Sequence, residues 1–136
     1  MTEPVKDRVA MIAGMTPELR PGRFVFCALN HLPLSAAISD GALCLFREAE
    51  GISALLPVDL AKAECLPVDM PMCQITLQVF SSLAGVGLTA AVSAALGTAN
   101  IPCNMIAAAL HDHVFVPEDR ATEALAVLNS LSASAR

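Results

Sequence analysis

Between Gln74 and Phe80 the chain alternates, with Ile75, Leu77 and Val79 on one side and Gln74, Thr76 and Gln78 on the other. Period-2 alternation predicts a half-buried strand. A Ser/Gly-rich turn follows, and Gly85 and Gly87 open a helix predicted over Val86–Ala99. Strands are predicted over Ile101–Leu110 and His113–Pro117, separated by His111-Asp112. Glu118–Leu131 is predicted as an amphipathic helix with Ala121, Leu125 and Leu128 on one face, its acidic start suiting the positive end of the helix dipole.

The first half runs through the same order of elements. Val5–Met15 is predicted as a short helix from the spacing of Val5, Val9 and Ile12, and Thr16–Gly22 breaks it. Arg23–Leu29 is a strand by its β-branched and aromatic content. Asn30–Asp40 has room for one or two helical turns. Ala42–Arg47 and Ile52–Pro57 form a predicted hairpin around Gly51, and Val58–Glu64 a short helix. Pro57, Asp59 and Ala61 match Pro117, Asp119 and Ala121 at a constant offset, which favours a repeat over the common habit of starting helices with proline and an acid. The expected division is 1–68 and 69–136. Each half then lacks the last strand of a βαββαβ unit, and exchange of a strand between the halves would supply it.

Composition narrows the partners. A chain of 136 residues that is 55% apolar and 15% charged has enough apolar surface for a core, or for two small ones. A net charge of −5, eight Lys+Arg and no Trp or Tyr argue against a nucleic-acid partner. No charge occurs between Asp69 and Asp112, yet Pro71, Gln74, Gln78, Asn100, Pro102 and Asn104 divide that run into pieces too short to span a bilayer. Glu3 and Asp7 stand where a secretory leader needs basic residues. Five cysteines without a C-x-x-C spacing fit reduced, buried thiols, and a cytoplasmic location is expected.

Three constellations carry candidate chemistry. The turn before the main helix offers backbone N–H groups to a carboxylate or phosphate, with Gly85 and Gly87 allowing close approach; a plain structural turn capped by Ser82 is the alternative. Gly85-Val86-Gly87-Leu88-Thr89-Ala90 also fits the dinucleotide fingerprint, but a lone match is weak, and here no helix separates the second strand from the third. His111-Asp112-His113 places two imidazoles at i and i+2, where they could share a metal with a distant third ligand, or simply hold a strand connection by hydrogen bonds. The main helix bears a weakly apolar stripe, Thr89, Ser93 and Gly97, flanked by Ala90 and Ala94. A water-facing helix normally carries charge there, so cover by the other half or a second subunit is expected.

The segments RFVFCAL, FREAEGISALLP, VFSSLAGVGLTAAVSAAL and IPCNMIAAALHDHVFVP, with Asp119-Arg120-Ala121 after them, resemble a family of small bacterial proteins built from two ACT-like units. That family is similar to the regulatory ACT domains of aspartokinases. The resemblance covers about Pro21–Leu131. It implies an α+β protein of two ferredoxin-like units with antiparallel sheets. The implied function is a homo-oligomeric regulatory module, without an attached enzyme domain, that binds a small molecule such as an amino acid and has no catalytic residues and no cofactor. The implied ligand positions are Ser81, Ser82, Leu83, Ala84, Gly85, Val86, Gly87 and Leu88, then Asn104, Met105 and Ile106. Many relatives carry an acid and Pro-Gly in the first loop; here Ser-Ser-Leu-Ala-Gly has no acid, which leaves Glu48, Glu50 or Asp112 to meet an amino group from elsewhere. The competing readings are an assembly module without a ligand and a metal-dependent enzyme using the His-Asp-His segment.

Overall fold

The structure is a computed structural model that describes Pro4, residues 7–80 and residues 82–136. Contacts group the chain into two compact units: Gly22–Met72, and Met1–Pro21 together with Cys73–Arg136. The sequence reading places the division after residue 68; by contacts, the N-terminal segment goes with the second half.

The Gly22–Met72 unit runs β2 (Phe24–Asn30), α2 (Ala36–Gly41), β3 (Cys44–Glu48), β4 (Gly51–Pro57) and α3 (Val58–Ala63). Its three strands are antiparallel in the order β3-β4-β2. Val25, Cys27 and Leu29 from β2 join Ala54 and Leu56 from β4 on the face covered by Ile38, Val58 and Ala61. The weak Ser-Ala-Ala-Ile-Ser segment becomes α2 because Ser35 caps it, its hydroxyl accepting from the Ile38 N–H at 3.1 Å.

In the other unit, α1 (Arg8–Ala13) and β1 (Pro17–Leu19) precede β5 (Met72–Leu77), α4 (Leu88–Thr98), β6 (Asn104–Ala107), β7 (Asp112–Pro117) and α5 (Ala121–Ser134). A 3-10 turn, Glu118–Arg120, leads into α5. The sheet order is β1-β5-β7-β6, with β1 antiparallel to β5 and β6 antiparallel to β7. That is the ferredoxin-like order, and β1 stands in the fourth-strand position. Exchange from the first half therefore completes this unit, but the donated piece is Pro17-Glu18-Leu19, read from sequence as part of a break. Three residues between Thr16 and Pro21 show too little periodicity to mark a strand. Pairing of Pro17 with Leu77 and Leu19 with Ile75 makes it one.

The core of this unit gathers Ile75 and Leu77, the α4 residues Val92 and Leu96, Val114 and Val116 from β7, and Ala124 and Leu128 from α5. Met11, Ile12 and Met15 complete it from the N-terminal segment. The expected α1 stripe is thus shifted: Val9 is exposed, and Val5 lies outside the described residues. Along α5 Ala121 and Leu128 are buried as expected, Ala124 is buried beside them, and Leu125 is only partly buried. Ser132, buried on α5, donates to the Ala13 carbonyl at 2.9 Å and ties down the end of α1.

The predicted repeat has a geometric counterpart. β4 and β7 both end in proline, and Pro57 and Pro117 share φ −53° and ψ 140°. Three residues beyond each helical start, Ala61 and Ala121 are buried. Among the described residues no helix is long and apolar enough to cross a membrane.

Candidate functional site

The turn between β5 and α4 is built from backbone. The Gly85 N–H donates to the Ser82 carbonyl at 2.9 Å, and the Ala84 N–H donates to the Ser82 hydroxyl at 3.1 Å. Ser82 therefore closes the turn and does not cap the helix. The N-cap is Gly87 at φ +109°, a left-handed conformation that suits glycine, and no side chain caps α4. Helix N-termini without side-chain caps present N–H groups to solvent or to an anion.

A cleft of about 460 Å³ opens at this turn, within the one unit. Ser82, Leu83, Gly85, Val86, Gly87 and Leu88 line it. Ala84 sits in the turn without lining the cleft, and Ser81 lies outside the described residues. Asn104, Met105 and Ile106 form β6 and do not line the cleft either; the β6 residue that does is Ala107. Asn104 instead donates its side-chain amide to the Phe115 carbonyl at 3.4 Å.

Met11, Thr89, Ala90 and Asp112 complete the lining. Asp112 begins β7 and is only 8% exposed. Of the three acids singled out from the sequence, Asp112 is the one that lines this cleft. Met11 had no sequence signal, because it reaches the cleft from a helix more than 60 residues earlier in the chain. Leu83 and Val86 are 76% and 79% exposed at the cleft, although large apolar side chains usually seek burial.

The His-Asp-His segment divides into separate environments. His113 points to β5, where its Nδ1 lies 3.1 Å from Gln74 Nε2 and 3.0 Å from Thr76 Oγ1. An amide N–H can only donate, so Nδ1 accepts and the proton sits on Nε2. Burial, foremost, and then the nearby His111 and Arg20 push the His113 pKa down, against the pull of Asp112. A neutral imidazole bonded on Nδ1 serves as a sheet-bridging group. Among the described residues no three His, Cys, Asp or Glu side chains gather where they could hold a metal.

Among the cysteines only Cys27 is buried, and Cys65 is exposed, contrary to the expectation that all five are buried. Burial raises the thiol pKa of Cys27, Cys44 and Cys103, which disfavours the nucleophilic thiolate. Thr89, Ala90, Ser93, Ala94 and Gly97 on α4 are exposed in the single chain, so the expected cover of that stripe is not present there.

The ferredoxin-like strand order narrows the class of fold, and sequence comparison identifies the family. ACT-domain models match residues 5–73 and residues 70–130. The chain belongs to the ACT-domain family. Among solved structures it is similar to a Vibrio cholerae protein of unknown function described as a possible transport protein, at 36% identity and TM-score 0.80, covering 91% of this chain and 94% of that one. An Agrobacterium tumefaciens protein shares the fold at 15% identity and TM-score 0.64, over 85% of this chain and 87% of that one. A structure of aspartokinase α and β subunits does so at 10% identity and TM-score 0.60, over 85% and 95%. No curated protein matches the sequence. ACT domains are typically regulatory amino-acid-binding modules, and the aspartokinase likeness is one of fold.

Proposed function

We propose that this chain is a regulatory module that binds an amino acid in the cleft at the β5–α4 turn and performs no chemistry on it. The observation that carries the reading is the placement of Asp112 in the lining of the same cleft as the uncapped start of α4. An amino acid presents one anion and one cation a short distance apart. The α4 N-terminus suits the carboxylate through its N–H groups and dipole. The Asp112 carboxylate suits the ammonium, in a charge-assisted hydrogen bond about twice as strong as a neutral one. Gly85 and Gly87 leave the backbone bare for close approach.

The reading includes a location in the cytoplasm, which suits cysteines that form no disulfides. The exposed small-residue face of α4 supports self-association, since a stripe such as Ser93 and Gly97 lets a second helix approach closely. Light scattering that finds only monomer at micromolar concentration would remove that part of the proposal.

The test is a thermal-shift screen of the twenty amino acids, with nucleotides as controls, followed by calorimetry on any hit. At least one amino acid should raise the melting temperature. Asp112→Asn should then weaken it by about tenfold or more, the loss expected for a hydrogen bond between charged groups. A flat screen with the folded wild-type chain would leave the ligand-free assembly reading in place.

A further inference from the structure

We propose that Arg8, at the start of α1, is a ligand-binding residue of the β5–α4 cleft, and that its guanidinium meets the carboxylate of the bound amino acid. This rests on the amino-acid reading above and deepens it, naming a residue from the N-terminal helix and the ligand group that it recognises.

The placement follows from how α1 meets the turn. Arg8 and Met11 are three residues apart on α1 and so lie on one face of it. Each stands over a glycine of the turn. The Met11 Sδ lies 3.0 Å from where a Cβ at Gly85 would stand. The Arg8 Cδ, Cγ and Nε lie 2.6, 2.8 and 2.9 Å from where one at Gly87 would stand. Met11 is 1% exposed and belongs to the core, so it fixes α1 against the turn. The Asp7 carboxylate fixes the first turn of α1, accepting from the Ala10 N–H at 2.8 Å. Arg8, one residue after this cap, is exposed. Its aliphatic stem lies along Gly87, and its guanidinium begins at the residue that opens α4.

The chemistry follows from charge. Gly87 and Leu88 line the cleft, so a guanidinium at Gly87 stands at its edge. Among the described residues no carboxylate is paired with Arg8. A guanidinium presents two parallel N–H donors in the spacing of the two carboxylate oxygens, and the resulting bidentate pair is charge-assisted. The amino-acid reading sets the ligand carboxylate at the start of α4. Arg8 brings a full positive charge to that point, where the helix end supplies a partial one. An amide in place of the carboxylate offers one acceptor and no opposite charge. The cleft is therefore selective for free acids over their amides.

The experiment screens the full chain by thermal shift against the twenty amino acids and their carboxamides, with sodium phosphate as a plain anion, and follows hits by calorimetry. The best-binding amino acid should bind about tenfold or more tightly than its own amide, the margin of a hydrogen bond between charged groups. Arg8→Gln should weaken the acid by about tenfold or more and move the amide far less, with Arg8→Lys in between. Raising the salt concentration should shrink the margin between acid and amide. In the wild type labelled with ¹⁵N-arginine, the Arg8 Nε–H signal, assigned by its loss in Arg8→Lys, should shift on saturation with that amino acid. That readout stands even if the glutamine variant does not fold. Equal binding of acid and amide, an unmoved Arg8 signal, or unchanged affinity in folded Arg8→Gln overturns the role of Arg8 while leaving amino-acid binding intact. A wild type that binds none of the twenty, or binds phosphate and no amino acid, overturns both.

Discussion

Arg8 lies against Gly87: a Cβ at position 87 would fall 2.6 Å from Arg8 Cδ and 2.8 Å from Arg8 Cγ. The contact joins the first turn of α1 to the opening residue of α4. It also separates two costs that a side chain at 87 would bring. Arg8 is exposed and flexible and can swing away cheaply. The φ of +109° cannot be relieved so easily, because only glycine enters that region without strain. Gly87→Ala is therefore expected to lower stability by about 1–2 kcal/mol, read as a reduced urea midpoint at unchanged slope. A variant as stable as wild type would show that the turn relaxes.

Two other glycines bracket this effect. At Gly51 the φ is +129°, and a Cβ would stand 1.9 Å from the Asn30 carbonyl oxygen, a backbone atom that cannot step aside. Gly51→Ala should be the most damaging of the three, by about 3 kcal/mol or more, because strain and overlap add. Gly97 sits in α4 with nothing within 4 Å of its would-be Cβ. Gly97→Ala should stabilise the chain by about 0.5–1 kcal/mol through helix propensity. Denaturation curves for the three variants should give the order 97 above wild type, then 87, then 51.

His113 gives the fold a pH dependence whose sign follows from its environment. Its pKa lies below the ordinary 6.5, first through burial and then through His111 and Arg20, with Asp112 opposing. Below the ordinary value the unfolded chain takes up a proton that the folded chain refuses. More protons bound by the unfolded state means stability rises with pH. The contribution is fully present above 6.5 and drains away as pH falls toward the lowered folded value. His113→Gln should flatten the pH dependence of the urea midpoint in that window. NMR titration of His113 in the folded chain should place its midpoint below 6.5; a midpoint above it would reverse the argument.

Most of the architecture was legible because it rests on local signals. Alternation at Ile75, Leu77 and Val79 marked β5, and proline followed by an acid marked the starts of α3 and the turn before α5. What escaped depends on partners remote in sequence. β1 is a strand only through its pairing with β5, and Thr16 and Arg20 gave no sign of it. The cleft was legible on its loop side, from the glycines. On the opposite side the resemblance pointed to Asn104–Ile106, whereas Ala107 and Asp112 line the cleft. Asp112 was visible as an acid in search of a role, but its place depended on where β7 begins. Met11 read simply as part of an apolar helix, since periodicity reports which residues are buried and not what they are buried against.

Arg120 is the residue of the Asp-Arg-Ala segment whose role the structure makes concrete. Its guanidinium donates to the Ala99 and Asn100 carbonyls, each at 3.2 Å, just past the C-terminus of α4. The same group pairs with Glu123 at 2.8 Å. Carbonyls at a helix end lack partners within the helix, and a cation there also opposes the negative end of the dipole. Arg120 thus fastens the end of the cleft-forming helix to the start of α5. The Glu123 pair is half exposed and adds little alone. The carbonyl bonds matter more, because one planar fork reaches both. Arg120→Ala should cost about 1–2 kcal/mol, with amide exchange speeding up in the last turn of α4 before the rest of the helix. Arg120→Lys keeps the charge and loses the fork, so it should fall between wild type and alanine. If lysine matches arginine in both midpoint and exchange, charge alone would account for the effect.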